Sequence, residues 1–143
     1  MQKIVLLFFL LGCVFFLGCE SKYKHATARR QKDEMRAEVY LADARAAMLR
    51  EDYQTAKEKI KTLRKTCKFA LEMREQAILL LDSIELSYTQ RKLRKSDSLM
   101  RKYARENKPV SSEMQQKHEE LHRQVKFYER KLQHDKQQRR HHD

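Results

Sequence analysis

Apolar positions recur at helical steps along most of the chain. Between about Thr27 and Arg50, Met35, Val39, Ala42, Ala46 and Leu49 fall at alternating steps of four and three, the stripe of an amphipathic helix. Asp52 stands where its carboxylate would accept the free amides of a second helix, from Tyr53 to about Thr66. With so short a connection the two helices form an antiparallel hairpin. From Phe69 to Tyr88 the chain is apolar on more than one face, through Phe69, Leu71, Met73, Ala77, Ile78, Leu80, Leu81 and Ile84. That predicts a central helix seated in the groove of the hairpin. The pattern runs on without a breaker through Leu93, Ser96, Met100 and Tyr103 to about Glu106, a rod of roughly 55 Å at 1.5 Å per residue.

Asn107-Lys108-Pro109 ends that rod, because a proline pushes the preceding residue out of the helical region. Ser112 with Gln115 reads as a capping box for a last helix. There Met114, His118, Leu121, Val125, Tyr128, Leu132 and Asp135 repeat at four and three, with Phe127 flanking them. A seam that narrow needs a partner helix. The chain offers the segment Leu93 to Tyr103, folding back antiparallel, and a second copy of the protein is the competing partner. The expected architecture is all-α: residues 27–106 hold the hairpin and the long central helix, residues 111–139 the C-terminal amphipathic helix, and residues 140–143 a basic tail. Both glycines, Gly12 and Gly18, lie near the amino terminus, so turns needing φ > 0 have no glycine to draw on.

The first residues have another character. Lys3 precedes an apolar run from Ile4 to Gly18 that stops at Glu20, the layout of a secretory signal, and the run is too short to span a bilayer comfortably. Phe16-Leu17-Gly18-Cys19 resembles the lipobox of bacterial lipoproteins. The resemblance implies cleavage after Gly18 and acylation of Cys19, with residues 1–18 as signal and 19–26 as a polar tether; Leu10-Leu11-Gly12-Cys13 is a second candidate with a shorter apolar region. In that reading Cys67 is the cysteine left in the folded part, and its spacing from Tyr53, Ala56, Ile60 and Leu63 predicts a small buried residue.

The hairpin resembles a single tetratricopeptide repeat, with Tyr40, Ala44 and Ala47 at the aromatic and small positions of its first helix and Ala56 and Ile60 in its second. Asp43 and Lys68 depart from the repeat pattern, and one copy is visible. Together with Asp82-Ser83-Ile84-Glu85-Leu86, Asp97-Ser98-Leu99 and the run Val125 to Gln133, the chain resembles small helical lipoproteins of the Bacteroidetes. That resemblance implies a compartment, the outer membrane facing the periplasm, and no mechanism.

Charge narrows the function classes further. The net charge is +12, and the segment from Tyr88 to Val110 holds eight basic residues, Arg91, Lys92, Arg94, Lys95, Arg101, Lys102, Arg105 and Lys108, against two acidic ones. Such a patch would suit nucleic acid, but an export signal argues against that partner and favours an anionic surface of the envelope. His118-Glu119-Glu120-Leu121-His122 fits the H-E-x-x-H zinc-protease pattern. Val125 and Tyr128 stand where a metzincin has its Gly and third His, so His118 and His122 are only weak metal candidates, and no cofactor or catalysis is expected. The reading is a membrane-anchored helical scaffold or adaptor, held to lipid by Cys19 and contacting a protein partner. Its alternative is an accessory subunit of outer-membrane assembly machinery, with a zinc metalloprotease a distant third.

Overall fold

A computed structural model of the chain describes residues 27–140. The expected signal, Gly18, Cys19, the tether and residues 141–143 lie outside the described residues. Among the described residues there are four helices and no strand: α1 (Ala28–Leu49), α2 (Tyr53–Thr66), α3 (Leu71–Arg105) and α4 (Ser112–Arg140). The protein is all-α, as the patterning predicts.

Local chemistry sets the ends of these helices. Thr27 Oγ1 accepts from Arg30 N at 3.3 Å to cap α1, and Asp52 Oδ1 accepts from Thr55 N at 3.1 Å to cap α2. Hydrogen bonding by Thr55 holds the Asp52 carboxyl below its ordinary range. The cap of α4 is Ser111, whose Oγ accepts from Met114 N at 3.2 Å, so the expected Ser112–Gln115 box is corrected by one residue. α1 and α3 both end in Schellman turns. Asp52 N bonds Ala47 O at 3.0 Å and Glu51 N bonds Met48 O at 2.9 Å; Lys108 N bonds Tyr103 O at 3.0 Å and Asn107 N bonds Ala104 O at 3.3 Å. Each turn needs a left-handed residue, supplied by Glu51 (φ 58°) and Asn107 (φ 49°). The chain thus makes the turns for which it lacks a glycine. Asn tolerates that region well, whereas Glu adopts it at a cost of roughly 1–2 kcal/mol.

α1 and α2 form the antiparallel hairpin, and small side chains bring them together. Ala37, Leu41, Ala44 and Ala47 of α1 meet Tyr53, Ala56, Ile60 and Leu63 of α2 in the core, which Cys67, Ala70, Met73, Ala77 and Ile84 extend. Tyr40 is packed against it, and Cys67 is fully buried, as expected. The predicted α1 stripe is corrected: Met35 is 59%, Val39 62% and Leu49 86% exposed, on the side of the helix away from the core. Hydropathy favours Met, Val and Leu, yet close approach of two helices selects alanine, and here geometry decides. The apolar stretch from Phe69 to Tyr88 is not buried throughout: Phe69, just before α3, and Leu71, Ile78 and Tyr88 on it are exposed. One face of α3 fills the hairpin groove and another meets α4.

No side chain of Ala70, the N-cap residue, can satisfy the first amides of α3. Glu34 of α1 does so from across the fold. Fully buried, it accepts from Glu72 N through Oε1 and from Met73 N through Oε2, both at 3.2 Å. Asp33 Oδ2 accepts from Phe69 N at 2.9 Å, and Arg30 lies 3.7 Å from Glu34 and 3.6 Å from Glu72. A carboxylate at this point also meets the positive end of the α3 dipole.

α4 returns along α3. Lys131 meets Asp82 and His118 meets Ser96, so the numbers run in opposite directions and the pair is antiparallel. The expected partner segment is therefore the one used within the chain. Near the hairpin, Lys131 Nζ bridges Asp82 Oδ1 at 2.6 Å and Asp135 Oδ2 at 2.9 Å. Burial raises the Asp82 carboxyl, whose Oδ2 is buried without a hydrogen-bond partner among the described residues. Asp135 is pulled the other way, to about 2, first by the hydrogen bond with His134 and then by Lys131.

Two predictions follow from these links. Glu34→Ala strands the buried Met73 amide and the half-buried Glu72 amide and leaves Arg30 only its contact with Glu72, and should cost about 1–3 kcal/mol in chemical denaturation. Glu34→Gln keeps one acceptor oxygen and should lose less. The second concerns pH. Asp135 stays ionised in the folded chain where the unfolded chain, with its value near 3.8, takes up a proton. Its contribution is complete above 3.8 and is lost as pH falls toward about 2. Asp82, being raised, has the opposite sign and costs stability as pH rises past the ordinary carboxyl range. Thermal midpoints recorded across acid pH should therefore fall less steeply in Asp135→Asn than in the parent.

Candidate functional site: the distal half of the long hairpin

The first half of α3 is tied to the α1–α2 hairpin. Arg45 Nη2 donates to Gln76 Oε1 at 3.0 Å, Lys57 pairs with Glu85 at 2.7 Å, and the Tyr53 and Tyr88 rings lie 5.7 Å apart. The last of these ties is Arg91, which donates to the Glu51 carbonyl at 3.1 Å and pairs with its carboxylate at 3.3 Å. Beyond Arg91, the helix is accompanied by α4 alone. The remaining residues of α3 extend roughly 20 Å past the hairpin.

The expected basic patch falls across this boundary and divides. Arg91 is a structural clamp, and its guanidinium also lies 5.9 Å from the Tyr53 ring centre. Lys92 sits 4.8 Å from the Tyr88 ring centre. Lys102 and Lys108 reach Glu106, at 4.0 and 2.7 Å. Arg94, Lys95, Arg101 and Arg105 lack an acidic partner among the described residues and are all exposed. On a helix of 3.6 residues per turn Arg94, Arg101 and Arg105 lie on the side opposite Ser96, which meets His118 of α4, while Lys95 lies toward the cleft between the two helices. The free charge is thus a narrower set than sequence suggests: three arginines turned outward and one lysine beside the cleft.

Between α3 and α4 on the same half lies an open cleft of about 510 Å³, with Leu99, Met114 and Leu121 on its floor and Lys92, Lys95 and Lys117 at its edge. Leu121 is the one residue of α4 buried among those described, so the predicted seam is present but thinly packed. Phe127, expected at its flank, is 57% exposed.

Next to the cleft, the two histidines of the H-E-x-x-H run come together with a residue the sequence reading left aside. His118 Nε2 lies 3.2 Å from His122 Nε2 and 3.5 Å from Asp97 Oδ1 of α3. The rings meet edge to face with centres 4.7 Å apart. On its other side His118 Nδ1 is 3.1 Å from Ser96 Oγ. Glu119, the base of the protease pattern, is exposed. The signal that would have found Asp97 is the antiparallel pairing itself, which sets the Ser96–Asp97 turn of α3 against the His118 turn of α4.

Among the described residues, no helix is long and apolar enough to cross a membrane. Comparison of the chain with protein-family models, with curated proteins and with solved structures returns no match.

Proposed function

We propose that the protein is a lipid-anchored scaffold of the cell envelope, without catalysis, whose distal hairpin rests on an anionic surface. The observation that carries this reading is the set Arg94, Lys95, Arg101 and Arg105, exposed and without an acidic partner among the described residues, on a helix that projects past the core. The apolar run ending at Gly18-Cys19 supplies the anchor, at an outer membrane facing the periplasm. A helical body built from one hairpin and one rod, with its charges turned outward, suits contact better than chemistry. Basic residues near an anionic surface contribute up to roughly 1 kcal/mol each, and salt screens them beyond about 8–10 Å. Service as an accessory subunit of barrel assembly has less support, since one repeat-like hairpin is present.

The test is vesicle binding by residues 20–143, which carry no acyl group, at low and high salt. Anionic vesicles should bind at low salt and release at high salt. The variant carrying Arg94→Gln, Lys95→Gln, Arg101→Gln and Arg105→Gln should bind at least tenfold more weakly, while Lys102→Gln with Lys108→Gln, whose charges are already paired, should lose much less. Equal binding by the parent and the fourfold variant would refute the surface contact. In cells, the full chain carrying Cys19→Ala should leave the membrane fraction.

A further inference from the structure

We infer that Asp97, His118 and His122 form a site for a divalent transition metal that fastens α4 to the projecting half of α3. Two imidazole nitrogens and one carboxylate oxygen are the donor types that zinc takes, at about 2.0–2.2 Å from the ion. Tetrahedral placement at that distance puts neighbouring donors roughly 3.3–3.5 Å apart. His118 Nε2 stands 3.2 Å from His122 Nε2 and 3.5 Å from Asp97 Oδ1, and all three donor atoms lie within 4.8 Å of one another. The one adjustment required is a small swing of His122, which is exposed and free to make it.

The surroundings of His118 support ligation. Its Nδ1 is 3.1 Å from Ser96 Oγ. When Nε2 binds a cation, Nδ1 carries the ring proton, and Ser96 Oγ is placed to accept it. A partner of this kind fixes the tautomer and aim of a ligating imidazole. The His118 and His122 nitrogens share a hydrogen bond at 3.2 Å, which already brings the two donors to the separation a tetrahedral ion takes. The mixed nitrogen and oxygen set disfavours calcium and magnesium, which take oxygen ligands.

The site differs in kind from a protease centre. Its third ligand comes from a facing helix, and it lies on an open face of a two-helix arm. Its effect is mechanical: an ion held by residues of both helices would join α3 to α4 beside Leu121, the one residue of α4 buried among those described.

The experiment is zinc titration of the full chain in a background carrying His141→Ala and His142→Ala, which removes the tail histidines as competitors. Competition with a chromophoric chelator should give one zinc per chain, and cobalt substitution should give the visible bands of a tetrahedral site. Zinc should raise the thermal midpoint. Asp97→Asn, close to the parent in shape, should bind zinc at least tenfold more weakly and lose the midpoint shift; His118→Ala with His122→Ala should abolish both. Circular dichroism without metal checks that each variant is folded. Binding that Asp97→Asn leaves unchanged would mean a histidine pair on one helix and would overturn the two-helix site, as would absence of stoichiometric zinc in the parent.

Discussion

The buried carboxylate of Glu34 sets the relation between the two ends of the fold. A long helix begins with amides that have no partner in their own backbone, and Ala70 cannot supply one. The first turn of α3 is therefore stable inside the core only where another element brings oxygens to it. Glu34 reaches Glu72 N and Met73 N, and Asp33 reaches Phe69 N. A charge removed from water is costly unless hydrogen bonded and paired, so the arrangement is demanding in both directions: α3 needs the carboxylate, and the carboxylate needs α3. Sliding α3 by a single residue would strand both groups.

The placement of the distal half follows from that register. With its start fixed against α1, α3 runs past Tyr53 and Glu51 and leaves the hairpin at Arg91. Everything beyond is a two-helix arm whose far end turns at Asn107. Lys131, Asp82 and Asp135 lock α4 onto α3 near the body, while farther out Leu121 is the main buried contact among the described residues. The free charges and the cluster of His118, His122 and Asp97 all belong to this less packed end. Structure and exposed chemistry are thus divided along one helix: its first half is committed to packing and its second half to the surface.

How much of this is legible in the sequence depends on whether the relevant forces leave a periodic trace. Helix spans, the Asp52 cap, the halt before Pro109 and the return of α4 all come from local rules, and all are present. The inward face of α1 was visible only through the repeat-like positions Tyr40, Ala44 and Ala47, because alanines that permit close helix contact carry little hydropathy. Met35, Val39 and Leu49 gave the stronger signal and point outward. Glu34 was illegible for the opposite reason: a charge reads as surface until its partners, some forty residues on, are known. Arg91 likewise looks like one more member of a basic run, and its engagement with Glu51 depends on a left-handed turn for which the sequence holds no glycine. Asp97 required knowledge of which turn faces which.

The order of the helices has a consequence for how the chain assembles. α1 pairs with α2 and α3 with α4, each with its neighbour across a short turn, so most of the structure closes over small separations. Topologies of that kind fold quickly, since little loop entropy is lost before contacts form. The joining of α3 to α1 is not nucleated by a turn: it spans 39 residues at Glu34 and Met73, whereas α3 and α4 can close outward from theirs until Asp82 meets Lys131, 49 residues apart. Two hairpins can thus close separately. The barrier to the native state then lies in their docking, when a charged side chain must shed its water and find the amides of a helix end in the same step.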